Sequence, residues 1–158
     1  METPRFLADA MLGRLARYLR FVGVDTEYVR DLPDAAIAAR ARAEGRVVLT
    51  RDRALAQRAP GALWIRSPSV AEQWREVRAA WPGVGDRVSF DRCALCNGPL
   101  RPYRLGSAPD RETDLPRDRA AGGLAVWECG DCGHLYWEGS HTANIRRRLA
   151  AWTAPEAT

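Results

Sequence analysis

The sequence predicts an α/β fold: a parallel sheet with flanking helices, followed by a small second domain organised by cysteines. Three observations point to it. Short apolar strands alternate with helical periodicity across the first half of the chain, the βαβαβαβα pattern of a parallel sheet with helices on its faces. A turn-rich stretch at residues 81–86, Trp-Pro-Gly-Val-Gly-Asp, breaks that alternation. Beyond it, two Cys-x-x-Cys pairs use all four cysteines of the chain. The domains are therefore expected at residues 1–85 and 86–158.

The elements follow in order. Residues 5–8 (Arg-Phe-Leu-Ala) form a first strand that runs into Asp9. Residues 10–22 read as a helix, because Leu12, Leu15, Ala16, Leu19 and Val22 recur at helical spacing and Gly23 suits its end. Arg14, Arg17 and Arg20 lie three apart and form a neighbouring basic stripe. Residues 26–29 form a second strand. Pro33 suits a first helical turn, and residues 34–44 continue as helix with Gly45 behind them. Residues 47–50 (Val-Val-Leu-Thr) are the clearest buried strand and lead into Arg51-Asp52. A short helix at 53–58, a strand at 63–65 and a helix from Ser67-Pro68 to about Trp81 complete the unit. In the second half, residues 106–123 are rich in Gly, Pro, Asp and Arg and read as a loop. Residues 124–128 lead into the second cysteine pair, a short strand is expected at 135–137, and Ser140 is expected to cap a terminal helix carrying Ile145, Leu149 and Trp152.

With 158 residues the chain can hold one ordinary domain or two small ones. No apolar run approaches the roughly 20 residues of a membrane helix, and the first residues contain no apolar signal core. A cytoplasmic protein is expected, where paired cysteines serve more often as metal ligands or redox thiols than as disulfides. All 24 basic residues are Arg, whose planar fork suits phosphate oxygens. Residues 1–85 hold 14 Arg against 10 acids, and residues 86–158 hold 10 of each, so the excess charge of +4 sits on the first half. Such a basic surface suits a polyanionic substrate.

Cys93, Cys96, Cys129 and Cys132 form two knuckles separated by 32 residues, each followed by a tight turn (Asn-Gly or Gly-His). Four thiolates so arranged fit a structural Zn²⁺ site, which would supply folding energy that a small, core-poor domain lacks. The alternative, a redox dithiol, belongs at a strand-to-helix junction, and neither pair sits at one. His134 and His141 are left as second-layer, surface or nucleic-acid contacts.

Asp9, Asp34 and Asp52 all fall on one edge of the expected sheet. Each alone fits a helix cap. Together, a cluster of carboxylates needs a hard cation such as Mg²⁺ or Mn²⁺ to offset its repulsion, the basis of metal-assisted phosphodiester chemistry. Arg14, Arg17 and Arg51 are the residues placed to contact phosphates. No phosphate-binding glycine loop occurs, and neither His lies in the first domain, so a Ser-His-Asp device is excluded there.

The stretch Phe6-Leu7-Ala8-Asp9-Ala10-Met11-Leu12-Gly13-Arg14-Leu15-Ala16-Arg17-Tyr18-Leu19-Arg20 closely resembles the opening of the PIN-like ribonuclease family named after the C-terminal domain of the Mutator-seven exonucleases. The similarity continues through Val48-Leu49-Thr50-Arg51-Asp52-Arg53, Arg92-Cys93 to Asn97, and Cys129 to Cys132 with Tyr136-Trp137-Glu138-Gly139-Ser140-His141. The resemblance implies a PIN-like nuclease domain followed by a zinc ribbon. It implies that Asp9, Asp34 and Asp52 hold Mg²⁺ or Mn²⁺ for attack of water on RNA phosphate. A further acid usual in such enzymes has no obvious counterpart; Asp31 and Glu44 are the nearest substitutes. Two other readings stand beside this one. The chain is a non-catalytic RNA- or ribosome-binding module using the ribbon and Arg146-Arg147-Arg148, or it is the toxin of a toxin–antitoxin pair.

Overall fold

The structure is a computed structural model that describes residues 2–155. Four parallel strands, β1 (Phe6–Ala8), β2 (Thr26–Tyr28), β3 (Val47–Thr50) and β4 (Leu63–Trp64), lie in the order β2-β1-β3-β4. Between and after them run α1 (Gly13–Phe21), α2 (Asp34–Glu44), α3 (Arg53–Arg58) and α4 (Val70–Ala80). A three-stranded antiparallel sheet follows: β5 (Leu100–Tyr103), β6 (Val126–Cys129) and β7 (Leu135–Trp137), with β6 central. The short α5 (Arg117–Ala120) lies between β5 and β6, and α6 (Ser140–Thr153) ends the described chain.

Strand alternation explains the layering. Phe6, Ala8 and Leu49 face one side and pack with residues of α1, α4 and α6. Leu7 and Val48 face the other and pack with Ile37 and Ala41 of α2 and Leu55 of α3. Both faces of the sheet are thus covered, as a parallel sheet requires. The chain leaves β1 toward β2 but leaves β3 toward β4, so the winding reverses between β1 and β3. The carboxyl ends of those two strands frame the crevice where open α/β sheets bind ligands.

Local chemistry sets the element ends. Gly45 adopts φ 64° and closes α2, a left-handed conformation that costs glycine no Cβ clash. Several ends differ from expectation. A 3-10 turn at Ala10–Leu12 precedes α1, because Asp9 caps it by accepting the Ala10 amide. α4 begins at Val70, since the Glu76 carboxylate accepts the amides of Arg66 and Ser67 at 3.0 Å each and holds them outside the helix. Ser140 is the first helical residue of α6 and not its cap; the Thr142 hydroxyl instead accepts the Gly139 amide at 2.9 Å. β5 adds a strand to the expected elements, and its Pro102 is tolerated because β5 is an edge strand. The 106–123 segment holds a 3-10 turn and α5, and Leu115 beside it is buried against Val126 and Leu135.

The terminal helix returns to the first sheet. Ile145 and Leu149 are buried in the core formed by α1, α4 and the sheet. Trp152 stands edge-on to Tyr18, with ring centroids 4.6 Å apart, and the fully buried Trp74 donates from Nε1 to the Thr153 hydroxyl at 3.3 Å. Among the described residues no helix is long and apolar enough to cross a membrane.

Candidate active site and metal centre

Asp9 and Asp52 sit at the reversal point, just past the ends of β1 and β3. The fully buried Thr50 ties them together. Its hydroxyl donates to Asp9 Oδ2 at 3.0 Å and accepts the Asp52 amide at 2.9 Å. Asp9 Oδ1 also accepts the Ala10 amide at 2.7 Å. Asp52 Oδ1 caps α3 by accepting the Ala54 and Leu55 amides at 2.8 and 3.3 Å. Asp34 is the first residue of α2 and so lies on the same carboxyl edge, where its carboxylate has no hydrogen-bond partner among the described residues. The Asp9 side chain and the Asp52 backbone are thus linked through Thr50, and Asp34 stands apart from that link. Glu44 lies at the far end of α2, paired with Arg40 and Arg46, which places it at the opposite edge of the sheet. It cannot serve as a further acid there. Asp31, in the β2–α2 loop at φ 57°, stays on the carboxyl side.

The arginines separate into different roles. Arg14 and Arg17 are exposed on α1 and have no partner among the described residues. Arg51 is half-buried; its Nη2 donates to the Arg66 carbonyl at 3.5 Å, and its Nε is buried without a partner. Beside it, Arg53 and Arg66 lie over the Trp64 ring at 5.4 and 4.9 Å. Arg20 departs from the basic stripe altogether. It is buried, and its guanidinium donates to the carbonyls of Thr26 at 2.8 Å, Ala94 at 3.1 Å and Leu95 at 3.4 Å. Burial lowers its pKa, against the charges of Glu27 and the cysteines. It is a structural tie between β2 and the first cysteine knuckle. Its place on the row of Ala16, four residues earlier, was the one sequence signal of that burial.

The four cysteines gather as the spacing predicts. Their sulfurs all lie within 4.8 Å of one another, the one such group of metal-ligating side chains among the described residues. Cys93 and Cys132 sulfurs are 3.7 Å apart, and those of Cys96 and Cys129 are 3.4 Å apart. Those gaps exclude disulfides. Four sulfurs each about 2.3 Å from one tetrahedral ion stand about 3.8 Å apart, so the set fits Zn²⁺.

The two knuckles repeat one backbone pattern. The Asn97 amide donates to the Cys93 carbonyl, and the Gly133 amide donates to the Cys129 carbonyl, at 2.8 and 3.0 Å. Asn97 and Gly133 both hold left-handed φ, 69° and 78°. Amides also point at the sulfurs: Gly98 at Cys96, and Asp131 and Cys132 at Cys129, each at 3.4 Å.

Electrostatics around the thiols fit a cation. Burial opposes ionisation of Cys129, but the amides of Cys132 and Asp131 and the neighbouring thiols outweigh it and hold its pKa at about 7. Burial pushes Cys96 up to about 12, with the surrounding thiols adding to that rise. A dication that accepts all four thiolates removes this conflict. The Tyr136 hydroxyl lies 3.0 Å from Cys93 Sγ, and burial pushes its pKa up.

Asn97 is the docking residue that sequence reasoning passed over. It is buried; its Oδ1 accepts the Thr26 amide at 2.9 Å, and its Nδ2 donates to Asp25 at 2.8 Å and Glu27 at 3.2 Å. The Asn-Gly pair after Cys96 marked the turn but not this contact.

Strand-end carboxylates on a doubly wound parallel sheet, joined to a four-cysteine ribbon, define a class of two-part α/β protein with one candidate site in each part. The chain belongs to the Mut7-C RNAse domain family, whose model matches residues 4–149. The match takes in Asp9, Asp34, Asp52 and all four cysteines. Comparisons with curated proteins and with solved structures return no match.

Proposed function

We propose that this protein is a divalent-metal-dependent ribonuclease of the cytoplasm. Residues 1–85 would carry the chemistry, and residues 86–158 would form a structural zinc ribbon. The carrying observation is the Asp9–Thr50–Asp52 link at the reversal point of the sheet, in a chain of an RNAse-domain family.

Asp9, Asp52 and Asp34 are the residues that would hold Mg²⁺ or Mn²⁺. A bound divalent ion supplies a water of lowered pKa and offsets charge on the phosphate as the P–O bond to the leaving oxygen breaks. The buried Thr50 hydroxyl fixes the Asp9 carboxylate and the Asp52 backbone together, so the two acids are held before substrate arrives. Arg14 and Arg17, unpaired on α1, are free to donate to RNA phosphates. Arg51 lies on the same edge, with a buried Nε that lacks an acceptor.

A second reading rests on one observation: Asp9 and Asp52 each cap a backbone segment, which is work they would also do in a non-catalytic RNA-binding module. The test is cleavage of labelled RNA by zinc-loaded protein, with Mn²⁺ or with divalent ions withheld, beside Asp52→Asn. Mn²⁺-dependent cleavage lost in Asp52→Asn supports the nuclease. RNA binding without any cleavage supports the binding module instead.

A further inference from the structure

A half-open cavity of about 210 Å³ lies between the first sheet's α1 and the ribbon. Its wall includes both histidines of the chain, His134 and His141, with Phe90, Tyr136, Trp137 and Arg17. A second cavity of about 240 Å³ adjoins it along α1, lined by Arg14, Arg17, Tyr18, Phe21, His141 and Arg148. The two share Arg17, Phe21 and His141, so they lie side by side, and together they are called the groove below. Among the described residues no carboxylate lines either cavity, although the chain carries 20 acids.

The groove starts where the candidate active site ends. α1 follows Asp9 after a single 3-10 turn, so Arg14 stands at the end of α1 nearest Asp9. Arg17 lies one turn further along, about 4.5 Å by helical rise, and the groove then opens into the aromatic cavity at the ribbon. Two unpaired guanidiniums therefore lead from the acids to a wall of aromatic rings. His141 stands edge-on to Phe21 at 6.0 Å and His134 edge-on to Tyr136 at 4.8 Å, and both imidazoles are exposed.

The size selects part of a ligand. A space of 210 Å³ is smaller than the roughly 300–1,000 Å³ of pockets that enclose a whole small molecule. One planar base fits that description, with its strand continuing in the groove. Aromatic faces beside a basic track are how proteins hold single-stranded nucleic acid without a sequence code.

We infer that the groove from Arg14 to the α1–ribbon cavity is a binding subsite for single-stranded RNA, with Arg14, Arg17 and Arg148 on phosphates and one base in the cavity against His141 and its aromatic neighbours. The inference rests on the ribonuclease reading and extends it: the ribbon helps hold substrate as well as adding stability. It also explains why a ribbon with no excess positive charge is joined to a basic first half. The ribbon contributes stacking surface, and α1 contributes the charge.

The test is binding of a fluorescein-labelled single-stranded RNA by the full, zinc-loaded chain without Mg²⁺ or Mn²⁺, read by anisotropy over a salt series. Cleavage by the same preparations is measured with Mn²⁺. The Arg14→Ala/Arg17→Ala double variant should bind at least about tenfold more weakly, with the log–log salt slope reduced by about 1.4. His141→Ala should weaken binding about fivefold or more with little change in slope. Arg101→Ala, whose side chain lines neither cavity and pairs with Glu128, should bind as the unaltered protein does. Because α1 packs in the core, 4-thiouridine crosslinking of the unaltered chain gives an independent readout and should label the segment containing Trp137 and His141. If the unaltered protein cleaves RNA while these variants bind normally and crosslinks avoid that segment, the groove is overturned and the nuclease stands. If the unaltered protein neither binds nor cleaves RNA, both fall.

Discussion

Asn97 Oδ1 accepts the backbone amide of Thr26 at 2.9 Å, so a side chain of the cysteine knuckle completes the hydrogen bonding of the sheet's outermost strand. β2 is an edge, and edges present unpaired backbone groups that must be covered or blunted. Here one amide side chain imitates a neighbouring peptide. Its other end meets Asp25 and Glu27, and the Arg20 guanidinium reaches back to Ala94 and Leu95 of the same knuckle. The first cysteine knuckle thus bears directly on the strand next to the one that leads into Asp9.

Replacing Asn97 should therefore destabilise the whole chain. Asn97→Ala leaves the buried Thr26 amide without an acceptor, at about 1–3 kcal/mol. Asn97→Asp should cost more, since it sets a third carboxylate beside Asp25 and Glu27. Urea unfolding of the zinc-loaded proteins measures both, and an unchanged midpoint in Asn97→Asp would refute the docking role.

Gly98→Ala should impair metal binding. An added Cβ at Gly98 would lie 2.7 Å from Cys129 Sγ and 2.7 Å from Asp131 Oδ2, closer than atoms pack. Cys129 would have to move from its place in the sulfur cluster. Zinc per chain should fall well below one in Gly98→Ala, and metal analysis of purified protein checks it.

Asp52 caps α3, and on the proposed reading it would also hold the catalytic metal. Asp52→Asn keeps a side-chain oxygen for the Ala54 and Leu55 amides and should leave stability nearly unchanged. Asp52→Ala removes the cap and should lower stability by about 1 kcal/mol. Both should lose Mn²⁺-dependent cleavage by about a hundredfold or more, a loss of several kcal/mol from the barrier. Thermal unfolding and RNA cleavage on the same samples separate the roles; cleavage retained in Asp52→Asn would remove it from the ligand set.

Acid should weaken the sheet edge through Asp25. Burial raises its pKa, but hydrogen bonds from Arg46 and Asn97 and the charges of Arg46 and Arg92 prevail and hold it below its ordinary value. The folded-state pKa is thus lower than the unfolded one, near 3.9. This contribution to stability is complete above about pH 4 and is lost as pH falls through the folded-state value. Arg46→Met should flatten that acid limb as well as lower stability at neutral pH, and urea midpoints measured across that range test it.

Much of this protein is legible in its residues. The helix at 34–44 and the strand at 47–50 occur at the residues predicted, because Pro33, Gly45 and the apolar run of β3 act locally. The four cysteines meet as their spacing implied, since two turn-borne pairs carry their own geometry. The α-helices expected from Ala10 and Ser67 start three residues later, at Gly13 and Val70, and Ser140 is the first residue of α6 instead of its cap. In each case one side-chain acceptor, Asp9, Glu76 or Thr142, decided the boundary.

The sequence by itself determined the parallel sheet, the knuckles and the strand-end positions of Asp9 and Asp52, because periodicity, turns and caps act over a few residues. Only the tertiary structure decided that Thr50 joins those two acids, that Glu44 lies at the wrong edge, and that Arg20 is a buried tie while Arg14 and Arg17 stay free. It also brought α6 back into the first core and set both histidines on one groove. Those outcomes depend on strand order and on contacts between residues as many as 130 positions apart, such as Arg148 with Tyr18. Spacing along the chain carries no information about which distant surfaces bury each other.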